Sequence, residues 1–159
     1  MKRIIYVVAI AAVLVGTFTR ASAHCEIPCG IYGDEMRIAL LEEHIETIEK
    51  SMKMITDLSA DEPKNFNQIV RWVNNKEKHA NDFQVIVTQY FMTQRIPIIS
   101  DQSSAKYEDY VHKISLLHEM LIYAMKSKQT TDLALPQKLG ELVTKFEIAY
   151  FGEQSDHHH

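Results

Sequence analysis

Apolar residues recur every three or four positions in four stretches of the chain, a spacing typical of amphipathic helices. The first stretch follows Asp34, which we expect to cap a helix, and it ends at the polar segment Ser59 to Lys64. The second runs from about Phe66 to Gln94, and polar segments at 95–104 and 126–131 separate it from the third and the fourth. The four stripes are Leu41, Ile45, Ile48, Met52 and Ile55; Ile69, Val73, Ala80, Phe83, Val87, Tyr90 and Phe91; Tyr107, Val111, Ile114, Leu117, Leu121 and Ala124; and Leu139, Leu142, Val143, Phe146 and Tyr150.

These stripes predict an all-α fold, an antiparallel up-and-down four-helix bundle over residues 34–153. The fourth helix is expected to carry Pro136 in its first turn, where the missing N–H costs nothing. Five Gly and four Pro in 159 residues are too few for the many tight turns of a β-sandwich or barrel. A single domain is the default at this length.

The first 23 residues have a different character from the rest of the chain. A basic Met1-Lys2-Arg3 start precedes an apolar stretch from Ile4 to Phe18, and Ala21-Ser22-Ala23 has the small-x-small pattern of a signal-peptidase site. The alternative is an uncleaved anchor, but the apolar run is shorter than the roughly 20 residues that span a bilayer. We therefore expect residues 1–23 to be a signal peptide removed before His24, and the protein to be periplasmic or secreted.

Charge argues against nucleic acid as a partner. The full chain has a net charge of −4, and the leader holds three basic residues and no acidic one, so the mature chain of 136 residues has a net charge of −7. An acidic protein lacks the basic surface that phosphates require. The C-terminal tail, 154–159, ends in three histidines and is interpreted as an inert tail or a purification tag.

The distinctive chemistry lies at the predicted mature N-terminus, in a hook over residues 24–33. The chain has only two cysteines, Cys25 and Cys29, and both follow directly behind His24. Cleavage converts the His24 nitrogen from an amide into a free amine, so this residue offers both an amine and an imidazole. Cys25 adds a thiolate and a backbone nitrogen, and Cys29 adds a second thiolate. Pro28 and Gly30 favour the tight turn that brings the sulfurs together.

Mixed amine, amide and thiolate donors in a near-planar set suit Ni(II) or Cu(II) better than Zn(II), which prefers a tetrahedral set. The alternative is a disulfide between Cys25 and Cys29, which an exported pair invites. The spacing of the cysteines leaves both open. The position of His24 at the cleavage point favours the metal.

The pattern H-C-x-x-P-C-G-x-Y from His24 to Tyr32 resembles the nickel hook of nickel-containing superoxide dismutases. The resemblance implies a four-helix bundle, a homohexamer, and dismutation of superoxide at a nickel that alternates between Ni2+ and Ni3+. It also implies that the His24 amine and imidazole, the Cys25 nitrogen and thiolate and the Cys29 thiolate bind the nickel. Tyr32 would lie beside the site, and Gln89-Tyr90-Phe91 matches the family's second tyrosine, at Tyr90.

Two positions depart from the family pattern. The glutamate and the arginine that often orient the hook histidine correspond here to Ala39 and Asn75. No Glu-x-x-His motif supports a di-iron bundle. The other histidines before the tail are scattered over three predicted helices, are interpreted as surface or satisfied half-buried residues, and are not assigned to a site: His44, His79, His112 and His118.

The sequence thus predicts an exported nickel superoxide dismutase with superoxide as substrate and a membrane contact only through its signal peptide. The first alternative is a non-catalytic exported protein that binds nickel or copper for trafficking or sequestration. The second is a structural bundle with a disulfide. Tyr32 and Tyr90 favour the enzyme, since a storage site has no need of them.

Overall fold

The computed structural model describes residues 33–152. This range forms four helices and no strand: α1 (Gly33–Ala60), α2 (Phe66–Val85) continued by a π-helical segment (Ile86–Arg95), α3 (Ala105–Gln129) and α4 (Ala134–Phe151). None of the helices in this range is both long and apolar enough to cross a membrane. The predicted leader, the hook residues His24, Cys25, Cys29 and Tyr32, and the C-terminal tail lie outside the described residues.

The four helices form an antiparallel up-and-down bundle, which confirms the predicted fold. α1 packs against α2 and α4, and α3 packs against the same two helices. Asp34 in the first turn of α1 is hydrogen-bonded to Tyr90 in the π-helical segment that ends the second helix and to Tyr150 near the end of α4. The start of α1 therefore meets the ends of two other helices, as alternating helix directions require.

The predicted stripes supply most of the core. Nearly all members in α1, α4 and the π-helical segment are buried, and Phe83, Phe91 and Phe146 are among the largest side chains with no exposed surface. In the third stripe, the prediction that Val111 belongs to the core was wrong, because this side chain is 41% exposed. Tyr110, one position earlier, packs against the core instead, because a step from Tyr107 through Tyr110 and Ile114 to Leu117 also follows helical spacing.

The end of the second helix differs from the predicted α-helix. From Ile86 to Arg95 the chain is π-helical, and the N–H of Ile96 bonds the carbonyl of Phe91, five residues earlier, at 3.0 Å. Thr93 Oγ1 also donates to a carbonyl five residues earlier, at 2.7 Å. In a π-helix residues five apart lie on nearly one side, whereas in an α-helix residues three or four apart do. Tyr90 and Arg95 therefore face the same side of this segment.

Candidate functional site

Four side chains from three helices meet at the start of α1, and we refer to them as the Asp34 cluster: Asp34, Tyr90, Arg95 and Tyr150. The Tyr90 hydroxyl donates to Asp34 Oδ1, and the Tyr150 hydroxyl donates to Asp34 Oδ2 at 2.7 Å. Arg95 donates to Asp34 Oδ1 through Nε at 2.7 Å and through Nη2 at 2.5 Å. One carboxylate therefore joins α1 to the π-helical segment and to α4.

The role predicted for Asp34 as a helix cap was wrong. The helix starts one residue earlier, at Gly33, so Asp34 lies inside the first turn, and its carboxylate accepts hydrogen bonds from side chains of other helices. A negative charge is still favourable at that end of a helix. Gly33 has φ of 60°, a left-handed conformation that glycine adopts without strain.

Burial and hydrogen bonding set the protonation states of the cluster. Burial alone would raise the pKa of Asp34, but the hydrogen bonds from Tyr90, Tyr150 and Arg95 outweigh it and lower that pKa below its usual value of 3.8. Burial and the hydrogen bond to Asp34 raise the pKa of Tyr90 and that of Tyr150. At neutral pH the carboxylate is therefore ionised and both tyrosines keep their protons.

Two guanidinium groups lie against the Tyr90 ring. The Arg37 guanidinium carbon is 4.8 Å from the ring centroid, and that of Arg95 is 5.2 Å away. Both distances fall within the range of cation–π attraction. With one carboxylate and two guanidinium groups, the surroundings of Tyr90 are positive in an otherwise acidic chain.

A cavity of about 210 Å³ adjoins the Asp34 cluster and shares Arg95 and Tyr150 with it. Lys106 and Lys113 of α3 also line this cavity, and its one carboxylate, that of Asp109, accepts from Lys113 Nζ at 2.7 Å. The cavity wall therefore carries more positive than negative charge, which favours a small anion over a cation.

The two residues that depart from the family pattern lie outside the Asp34 cluster. Ala39 is exposed, and Asn75 Nδ2 donates to Ser51 Oγ at 3.1 Å. Ser51 is 17 positions along α1 from Asp34, about 25 Å at the helical rise. Across residues 33–152 no three His, Cys, Asp or Glu side chains gather to bind a metal ion. The predicted nickel ligands all precede this range in the sequence.

Of the predicted site residues, only Tyr90 lies in the described range, and it is buried with a charged partner. Sequence reasoning missed Arg95, which it placed in a loop, and Tyr150, which it assigned only to the core. The one available signal was the acidic side chain of Asp34 next to the hook, because a carboxylate that becomes partly buried in a fold requires a hydrogen-bond or charged partner.

We expect Asp34→Asn to lower the free energy of unfolding by about 1–3 kcal/mol at pH 7, because Arg95 and two tyrosines lose a charged acceptor. The lowered pKa of Asp34 means that the charge stabilises the fold above about pH 4. This stabilisation is lost as the pH falls through the folded-state pKa, so the difference between the two proteins should shrink in acid. Urea unfolding at pH 7 and below pH 4 measures both effects.

Asp109→Asn is the matched control for that substitution. Asp109 forms an exposed pair with Lys113 four residues away, so its loss should change the free energy of unfolding by less than about 0.5 kcal/mol. Equal stability of the Asp34→Asn variant and the unmodified protein at pH 7 would contradict the role assigned to the Asp34 cluster.

The sequence model of one protein family, nickel-containing superoxide dismutase, matches residues 19–154. The match includes the hook motif from His24 to Tyr32 and all four helices. Comparisons with curated proteins and with solved structures give no significant match. Because the family match covers most of the chain and agrees with both the motif and the helical bundle, the chain belongs to the family of nickel-containing superoxide dismutases.

Proposed function

We propose that the nickel of this superoxide dismutase is bound by the processed N-terminus, through the His24 amine and imidazole, the Cys25 backbone nitrogen and thiolate, and the Cys29 thiolate. The observation that carries the proposal is the uninterrupted hook motif within the range that the family matches. When bound, nickel supplies the electron exchange that oxidises one superoxide to dioxygen and reduces the next to hydrogen peroxide.

The donor set fits this metal. Thiolate and amide donors in a near-planar arrangement suit nickel and stabilise its oxidised state, and a free amine adds a further nitrogen donor. Non-catalytic binding of nickel or copper is not better supported, because the family of the chain is a family of enzymes. Thiolates that face peroxide oxidise readily, so the protein has to restrict access to both sulfurs.

We assign Tyr90 a role in ordering water and substrate together with Tyr32. Asp34 follows Cys29 by five residues, and Tyr90 donates its hydroxyl proton to that carboxylate. The Tyr90 oxygen can still accept a hydrogen bond from water, but its proton is engaged, and the raised pKa holds it there. Protons for peroxide are therefore supplied by ordered water or by an amine or thiol of the hook.

The positive groups near Tyr90 offset the acidic character of the whole chain. Arg37 and Arg95 lie against its ring, and two lysines line the adjoining cavity. Local positive charge raises the concentration of a small anion even where the net charge of the protein is negative. We propose that this end of the bundle attracts superoxide.

Replacing Tyr90 by Phe should leave nickel binding unchanged and lower the rate or the saturation by superoxide several-fold, since the hydroxyl orders water without touching the metal. Metal analysis and a dismutation assay over a range of superoxide concentrations measure the two effects. Tyr107→Phe, on α3 and outside the Asp34 cluster, is the control. Loss of nickel from the Tyr90→Phe protein would show that this tyrosine supports the metal site itself.

We also propose that the protein is exported and that it assembles as a homohexamer. The basic, apolar and small-x-small pattern of residues 1–23 supports export. Membership of the family supports the homohexamer, and exposed apolar side chains, among them Phe66 at 68% and Ile98 at 82%, are available for contacts between copies. Sequencing of the N-terminus and the mass of the assembly in solution test the two proposals.

One experiment tests the proposed function. Nickel content and dismutation are measured on the mature chain, residues 24–159, with an authentic His24 terminus. About one nickel per chain with rapid dismutation supports the enzyme with the hook site. Metal without turnover indicates a carrier, and absence of both metal and free thiol indicates a disulfide between Cys25 and Cys29.

A further inference from the structure

Two histidines that lie far apart in the sequence contact each other between α1 and α2. His44 Nδ1 and His79 Nδ1 are 2.9 Å apart, and the ring centroids are 5.0 Å apart with an interplanar angle of 67°. Each histidine is half-buried, as expected, and the antiparallel pairing of the helices brings together two residues that lie 35 positions apart in the sequence.

The pair belongs to a regular register between the two helices. Asp34 meets Tyr90, His44 meets His79 and Ser51 meets Asn75, so each step forward along α1 corresponds to a step back along α2. His44 is ten positions after Asp34, about 15 Å along the helix. The rigid backbone of two packed helices thus fixes the separation of the two imidazoles.

The distance between the two nitrogens matches a chelate. Ligand nitrogens about 2.0 Å from one ion and 90° apart lie about 2.8 Å from each other, whereas tetrahedral ligands lie about 3.3 Å apart. In the metal-free contact one Nδ1 donates its proton to the other, so the two nitrogens face each other, and a rotation of each ring about its Cβ–Cγ bond turns both lone pairs toward one ion beside the N···N line. An ion there replaces the shared proton, which moves to Nε2 of the same ring.

We propose that His44 and His79 bind a divalent first-row ion of square-planar or tetragonal preference through both Nδ1 atoms, with Cu(II) held more tightly than Ni(II). Since the described residues offer no third His, Cys, Asp or Glu ligand in this place, water completes the coordination. The site crosslinks α1 to α2 and uses none of the hook residues. It therefore does not depend on the proposed function.

The charged side chains around the histidine pair are mainly acidic. Asp82 lies one turn after His79 and accepts from Lys78, and Glu43 is next to His44 in the sequence. Asp82 and Glu43 favour a cation at the pair, and Lys78 opposes it. Two carboxylates and one ammonium group leave a net negative surrounding, which favours a divalent cation.

The experiment uses the full mature chain in which the other strong donors are removed. The background carries His24→Ala, Cys25→Ser and Cys29→Ser together with His157→Ala, His158→Ala and His159→Ala, so that neither the hook nor the histidine tail competes. Cu(II) and Ni(II) are each titrated by calorimetry, and the Cu(II) complex is studied by electron paramagnetic resonance. We expect one Cu(II) per chain with hyperfine coupling to two imidazole nitrogens, weaker Ni(II) binding, and a higher Tm with metal.

Adding His44→Gln or His79→Gln to this background should lower the Cu(II) affinity by at least about tenfold and remove the metal-dependent rise in Tm. His112→Gln and His118→Gln, at exposed positions of α3, are the matched controls and should leave both unchanged. Circular dichroism without metal confirms folding of every variant. Equal affinity in the background and in both pair variants, or an equal loss in the controls, would overturn the proposal.

Discussion

Replacing either Cys25 or Cys29 by Ser is expected to abolish dismutation and to leave the bundle folded. A neutral hydroxyl is a poor donor to nickel and does not stabilise its oxidised state, so one lost thiolate suffices. In the part of the chain that the structure describes, the first helix begins at Gly33, after both cysteines, and the core is built from later residues. Nickel analysis, a dismutation assay and circular dichroism on the mature proteins measure the three quantities.

Glu26→Gln is the matched control for the two cysteine substitutions. It changes the charge of the hook between the cysteines at a position that the hook motif leaves variable, so activity should persist. Retained activity in either serine variant would remove the thiolate site. If instead the cysteines form a structural disulfide, both serine variants should lower Tm equally and the unmodified protein should bind no nickel.

The helical architecture was predictable because the spacing of apolar residues along the sequence indicates each helix. Each helix buries residues that recur every three or four positions, such as Leu41, Ile45 and Ile48, and this period is visible without any tertiary contact. The π-helical segment was not predictable in this way. Val87, Tyr90 and Phe91 fit an α-helical stripe equally well, and the side-chain bonds of Thr93 and Gln94 to carbonyls five residues earlier appear only in the structure.

The proposed nickel ligands and the Asp34 cluster differ in how far apart their residues lie in the sequence. The proposed nickel ligands lie within a stretch of six residues, so the sequence alone indicates their chemistry as one motif. The Asp34 cluster combines residues 56, 61 and 116 positions from Asp34. No periodicity links such residues, and Arg95 reaches the carboxylate only because the π-helical segment places it on the side of Tyr90.

The contact between His44 and His79 was also not predictable from the sequence. Each histidine taken alone is most simply a polar residue on a half-buried helix face. Their pairing depends on the register of α1 against α2, which is set by the packing of many apolar residues rather than by the histidines themselves. Side-chain sites that span two helices are therefore visible only once that register is known.

The activity is expected to depend on whether the His24 nitrogen is a free amine. We expect only the chain that begins at His24 to bind nickel in the square-planar mode and to dismutate superoxide. While the leader is attached, this nitrogen is a peptide amide whose lone pair is delocalised, so it is not an amine donor. One extra residue before His24 should abolish activity as fully as the whole leader does.

Three proteins test this expectation: the precursor, the mature chain, and the mature chain with one additional N-terminal Gly. Mass spectrometry establishes each terminus, and circular dichroism should show similar helix formation in all three, because every helix of the bundle begins at or after Gly33. Nickel content and dismutation should be found in the mature chain alone. Full activity in the extended protein would exclude the terminal amine as a ligand, and the nickel would then require a donor other than the one that cleavage before His24 creates.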